Sequence, residues 1–131
     1  MSFQCTVVTP EQQLMDETVT QAILPAHDGQ MGVLTNRAPV LVKLGMGPLR
    51  LDVAGGQRRV FFVEGGIAQM KGNKLTIITD DAVPASEIDA DTAKAEYAEA
   101  AARVPTDEKT KLDRERAMRR AMAKQALAAS R

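Results

Sequence analysis

The chain has one histidine and one cysteine, so the side chains that most often move protons, attack carbonyls or hold transition metals are almost absent. A nucleophilic site needs a hydroxyl or thiol activated by a neighbouring base, and only His27 could supply an imidazole. His27 stands directly before Asp28-Gly29, a turn signature, where a lone histidine reads as a turn residue. Cys5 lies in the apolar run Phe3–Val8 and reads as a buried, inert thiol. A single cysteine makes no internal disulfide, and one cysteine with one histidine makes no conventional zinc quartet. The glycine pairs lack the spacing and the following helix of a Walker loop or a dinucleotide fingerprint. No catalytic residue, metal or cofactor is therefore expected. Charge does recur at a fixed interval: Arg116, Arg120 and Lys124 lie four residues apart with Arg119 alongside, a basic ridge suited to electrostatic docking.

Two structural grammars must position these groups. All nine glycines lie at or before Gly72, whereas 14 alanines crowd into the 47 residues from Ala85 to Arg131. Short apolar segments fill the first part: Phe3–Val8, Thr18–Leu24, Met31–Thr35, Val40–Leu44, Leu49–Val53, Arg58–Val63, Ile67–Met70 and Leu75–Thr79. Turn signals separate them at Asp28-Gly29, Gly45-Met46-Gly47-Pro48, Gly55-Gly56, Gly65-Gly66 and Gly72-Asn73. This spacing predicts an antiparallel β-sandwich over residues 1–84 with an aliphatic core, since aromatics are limited there to Phe3, Phe61 and Phe62. Pro84, lacking a donor, should end the sheet.

Beyond it the spacing predicts a two-helix antiparallel hairpin over residues 85–131. Ser86 offers an N-cap with Asp89 three residues on, and Ala90, Ala93, Tyr97, Ala100, Ala101 and Val104 share a face. Pro105 interrupts; Thr106-Asp107-Glu108 reads as a second cap and acidic first turn, opening a helix from about Asp107 toward Ala129. Its apolar seam is Met118, Ala121, Met122, Gln125 and Ala129, while Leu112 and Leu127 fall toward the basic ridge and mark a contact surface there. Each alanine contact buries about one methyl, about 0.8 kcal/mol, against about 1.5–3 for a leucine. The hairpin should dock weakly while good helix propensity keeps each helix formed.

Seventeen basic and seventeen acidic residues cancel. Residues 80–104 carry two basic and seven acidic groups, and residues 105–131 eight and four, so the two helices are opposite in sign. A nucleic-acid role for the basic helix lacks interleaved aromatics and net positive charge. No apolar run reaches the roughly 20 residues of a membrane span, and Met1–Thr9 lacks the pattern of a signal peptide.

The run Leu24-Pro25-Ala26-His27-Asp28-Gly29-Gln30-Met31-Gly32-Val33-Leu34, followed by Asn36-Arg37-Ala38-Pro39-Val40-Leu41, strongly resembles the epsilon subunit of F-type, proton-translocating ATP synthases. Val63-Glu64-Gly65-Gly66-Ile67-Ala68 and the Ile88-Asp89 start of the first helix match as well, and the likeness covers essentially the whole chain. It implies a non-catalytic rotor subunit of the central stalk, peripheral on the cytoplasmic face of an energy-transducing membrane. Residues 1–84 would then be a rotor-docking domain that meets the gamma subunit and the c-ring through Asp28, Gly29, Gln30, Gly32, Arg37 and Pro39. Residues 85–131 would be a regulatory hairpin that extends into the alpha and beta subunits and blocks ATP hydrolysis, with Arg114, Arg116, Arg119, Arg120 and Lys124 as contacts.

The chain departs from the family pattern at Gln30, where an acidic residue is common, and at Arg37, where histidine is common. An alternative is an ATP-sensing hairpin. Ile88 and Asp89 are a remnant of the nucleotide-binding pattern found in some bacterial members, but Thr92 and Glu99 stand where that pattern has arginines, and Lys94 or Arg103 would have to replace them.

Overall fold

The computed structural model describes residues 2–26, 29–36 and 38–130. The chain divides into two compact units, Met1–Pro84 and Ala85–Arg131. The first is all β: β1 (Phe3–Val8), β2 (Gln13–Ala26), β3 (Gly29–Val33), β4 (Val40–Val53), β5 (Arg58–Lys71), β6 (Lys74–Ile78) and β7 (Ala82–Pro84).

Where the sequence predicts two pairs of short strands, Val40–Leu44 with Leu49–Val53 and Arg58–Val63 with Ile67–Met70, the structure has one strand of 14 residues for each pair, and β2, also of 14, extends the predicted Thr18–Leu24 at both ends. Gly45-Met46-Gly47-Pro48 and Gly65-Gly66 are not chain reversals. They lie inside β4 and β5 and face one another, with Leu44 opposite Gly66, Met46 opposite Glu64 and Gly47 opposite Val63. A strand can bend at such residues without losing its ladder, so one strand serves two layers. Gly66 has φ +115°, and a methyl there would lie 2.8 Å from the Thr79 Cα and closer still to the Ile78 carbonyl oxygen. The buried Thr79 hydroxyl completes this corner by donating to the Gly65 carbonyl at 2.7 Å. Glycine serves here for close approach of a neighbouring strand, and composition alone cannot tell that need from a turn.

The pairings close a ring. β2 is antiparallel to β1 and to β4, β5 is antiparallel to β4 and to β6, and β1 then meets β6 in parallel, with Gln4 opposite Lys74 and Val8 opposite Ile78. Five strands in a closed circuit cannot alternate direction all the way round, so the fifth seam must be parallel. The predicted sandwich is thus a flattened barrel with one parallel seam. β3 adds to the β2 edge and β7 to the β5 edge. Pro84 is the last residue of the sheet, as expected: it pairs opposite Phe61 at the end of the short edge strand β7, where a missing donor is tolerated.

Inward-facing residues fill the space between layers. Leu24, Leu49, Leu51, Met70, Leu75 and Ile77 are fully buried, with Phe3 and Phe61 the aromatics of the cluster. Each buried leucine or isoleucine contributes about 1.5–3 kcal/mol. Cys5 has no exposed surface; burial, with the carboxylates of Asp16 and Glu17 adding to it, pushes its thiol up to about 12.

The second unit begins with a 3-10 turn, Ala85–Glu87, followed by α1 (Ala90–Ala101) and α2 (Glu108–Ser130). Ser86 does not cap α1. Asp89 does, its carboxylate accepting from the Asp91 amide at 3.1 Å, while Ser86 falls within the 3-10 turn. Ala93 and Ala100 of α1 are buried with Tyr97 and Ala101 half-buried, whereas Ala90 is exposed and Val104 lies beyond the helix.

Gly66→Ala should destabilise the β-unit by about 2–5 kcal/mol, adding roughly 1–3 for overpacking to roughly 1–2 for a left-handed backbone. Chemical denaturation checks this, with reaction of Cys5 toward a thiol reagent as a local probe: the variant thiol should become reactive at lower denaturant.

Candidate functional site

The residues assigned to rotor docking divide into two places. Gly29, Gln30 and Gly32 are exposed on β3, opposite Ala26, Pro25 and Ile23 of β2. They form part of a short edge strand, which begins at Gly29 of the expected Asp28-Gly29 turn and ends at Val33, two residues short of the expected Thr35. Its partner Pro25 has no amide donor, and two of its five residues are glycine, so the edge exposes backbone with few side chains in front of it. Pro39 stands exposed just before β4. Asp28 and Arg37, like His27, lie outside the described residues.

Sequence reasoning passed over the pair that holds the segment before β4. Asn36 and Asn73 both have left-handed backbones, φ 65° and 57°. The Asn36 amide donates to Asn73 Oδ1 at 2.8 Å, and Asn73 Nδ2 donates to Asn36 Oδ1 at 3.1 Å. The Asn73 carbonyl accepts from the Gln4 amide at 3.0 Å, which ties the start of β1 to the same corner. The aliphatic residues flanking this clamp are exposed, Leu34 at 58% and Leu41 at 68%, and a shallow groove lined by Pro39, Val40, Leu41, Gln69, Met70 and Lys71 runs beside it. The only signal in the sequence was an asparagine after Gly72; nothing there paired it with Asn36.

The ridge on α2 does not stay whole. Arg116 and Arg119 are exposed, while Arg114, Arg120 and Lys124 are half-buried. The seam departs from expectation in the same way: Ala121 is buried and Met118 and Gln125 half-buried, but Met122 is 56% exposed and Ala129 exposed. Leu127 is buried and Leu112 is 55% exposed, so they do not form one surface. Arg114 reaches out of its helix, and its Nη2 donates to the Ala101 carbonyl, in the last residue of α1, at 3.0 Å. Among the described residues its Nε is buried without a hydrogen-bond partner. A charge-assisted bond contributes about 1.5–3 kcal/mol and a dry donor costs about 1–3, so the net attraction is small.

The positions relevant to nucleotide are engaged within the hairpin. Asp89 accepts from the Thr92 hydroxyl at 3.0 Å as well as from the Asp91 amide. Glu99 and Arg103 form a two-point ion pair at 3.0 and 2.9 Å, which holds the glutamate below its ordinary value and raises the arginine. Ile88 is buried. Among the described residues no group of three metal-binding side chains converges, and no helix is long and apolar enough to cross a membrane.

Known proteins share this arrangement. The family described as ATP synthase, delta/epsilon chain, beta-sandwich domain matches residues 2–85. The ATP synthase epsilon chain of Rhodopirellula baltica is 41% identical over 100 residues, covering 76% of this chain and 77% of that one. The epsilon chain of Gloeothece citriformis is 31% identical over 129 residues, covering 95% and 93%. A chain of the Euglena gracilis mitochondrial ATP synthase, from an OSCP/F1/c-ring structure, superposes with a TM-score of 0.88 at 25% identity, covering 99% of this chain and 82% of its own length. One from the Tetrahymena thermophila mitochondrial central stalk and c-ring has a TM-score of 0.69 at 16% identity, covering 93% and 95%, a likeness of fold alone. A bent-strand sandwich joined to a two-helix hairpin is thus the architecture of a subunit of a membrane-associated rotary complex. The chain belongs to the ATP synthase delta/epsilon family, on its epsilon side.

The α2 cap gives the hairpin an acid-sensitive step. Asp107 Oδ1 accepts from the Thr110 amide at 2.8 Å and the Thr110 hydroxyl accepts from the Asp107 amide at 3.0 Å, a reciprocal capping box. These bonds from Thr110 hold the Asp107 carboxyl below its ordinary value of 3.8. A lowered pKa makes the cap's stabilisation complete above the ordinary value and lost as pH falls through the depressed one. Far-UV circular dichroism should show helix declining on acidification through that window. Asp107→Ala should start with less helix at neutral pH and lose less on acidification.

Proposed function

We propose that this chain is a non-catalytic rotor subunit whose β-unit docks on the gamma subunit and the c-ring and whose hairpin restrains ATP hydrolysis by the alpha and beta subunits. The observation that carries the reading is the match along 99% of the chain to a subunit found in an F1/c-ring assembly, joined to epsilon-chain relatives in sequence. Docking falls to the β3 edge with Gly29, Gln30 and Gly32, to Pro39, and to Asp28 and Arg37 beside them in sequence. Gly29 and Gly32 suit a close backbone approach, because a side-chain carbon at either would meet open space and nothing but a partner would fill it. The complex holds the chain peripherally, on the cytoplasmic face of its membrane.

Inhibition falls to Arg114, Arg116, Arg119, Arg120 and Lys124, a cationic set for acidic helices of a beta subunit. Exposed pairs contribute about 0–1 kcal/mol each, so inhibition needs several together and weakens as salt rises. Nucleotide is not the regulator. Glu99 places a carboxylate where a phosphate would need a cation and already occupies Arg103, and Thr92 is tied to the Asp89 cap.

Deleting residues 106–131 should raise the ATPase rate of the assembled head several-fold and leave co-purification with gamma intact. An unchanged rate would remove the inhibitory role without touching the rotor role, and loss of gamma binding by the full chain would remove the latter. Isothermal calorimetry of the full chain should register no heat with millimolar ATP.

A further inference from the structure

We propose that Arg114 is an internal latch: by donating to the carbonyl end of α1 it holds the hairpin closed, and its release sets how readily the arm opens. This rests on the regulatory role given to the hairpin above, and it assigns to a protein side chain the control that a bound ligand would otherwise supply.

Three observations converge on the arginine. The first is its place. The last turn of a helix carries unpaired carbonyls and the negative end of the dipole, and a cation is favoured there. The Ala102 amide turns back to Ala98 and Ala100, and the guanidinium of Arg114 takes the Ala101 carbonyl at 3.0 Å. Its neighbour Asp113 adds, after Glu99, to what favours the charged form of Arg103, so adjacent residues of α2 face opposite charges at one end of α1.

The second is the alanine content of the seam beside it. The buried positions of the unit include Ala93, Ala100 and Ala121, which adhere through single methyl groups, with Ile88 and Leu127 the larger buried side chains, so a directional polar bond is a sizeable share of what closes the hairpin. The third is that the latch is imperfect. The dry Nε makes the closed form less favourable than a fully paired arginine would, which suits an element that must open. Opening also frees the same guanidinium for a partner. Arg114 cannot hold Ala101 and reach a beta subunit at once, so closure and inhibition exclude each other through one side chain.

The test uses the full chain, free in solution, with spin labels on Ala95→Cys and Ala126→Cys, both exposed positions, one on each helix. Cys5 is buried, with its thiol pushed up to about 12, and stays unlabelled. A closed hairpin gives a short inter-label distance, and an arm with its two helices laid end to end gives up to on the order of 45 Å at 1.5 Å per residue. Arg114→Gln, a good helix former, should lower the short-distance population at least threefold with helical circular dichroism retained, and high salt should shift the wild type the same way. A distance distribution in Arg114→Gln that matches wild type overturns the latch. Should that variant also lose helix, Arg114→Lys decides. It keeps the charge but lacks the planar fork, so partial opening is expected and an unchanged distribution overturns the proposal. The measurement involves neither gamma nor the catalytic head, so its failure is distinct from failure of the inhibitory role.

Discussion

The corner where Gly65 and Gly66 pass beneath the end of β6 is the constraint on which the β-unit depends. A side chain at Gly66 would occupy the space of the Ile78 carbonyl and the Thr79 backbone, and the Thr79 hydroxyl binds the Gly65 carbonyl across the same gap. Because β5 bends there, its first half pairs with β7 and its second half with β6, while β4 follows it along the whole length. That sharing turns one sheet into two layers and encloses the aliphatic core. The parallel seam between β1 and β6 follows from closing an odd ring, with no special feature required of either strand.

The hairpin is held by different means. Helix propensity and two carboxylate caps, Asp89 and Asp107, secure each helix locally. What joins the helices is an alanine-rich seam, with Arg114 reaching from one to the carbonyl of Ala101 on the other. Strong local and weaker tertiary terms suit an element that would move as preformed helices rather than by melting. The β-unit is the reverse: short local signals, and stability drawn from strands far apart in sequence.

An epsilon-family subunit must transmit torque through one part and respond through another, and these two kinds of stability fit those two duties. A closed barrel has few low-energy deformations, and the residues proposed for docking sit on a short edge strand and beside an asparagine clamp that holds the segment before β4. The hairpin carries exposed cations, Arg116 and Arg119, on helices secured by their own caps.

Much of this was written locally in the chain. Residue composition divides the chain where the structure does, at residue 84, and alternation such as Leu49-Arg50-Leu51-Asp52 marks its buried face because strand geometry sends neighbours to opposite sides. The Asp107 cap and the burial of Cys5 follow from residue type and immediate neighbours. Tertiary structure alone decided whether a glycine pair reverses a strand or bends it, that Asn36 meets Asn73, that Pro84 lies on an edge, and that Arg114 turns to a helix end instead of joining a ridge. Each of these depends on a partner distant in sequence, and no periodicity in one segment can name the segment that will pack against it.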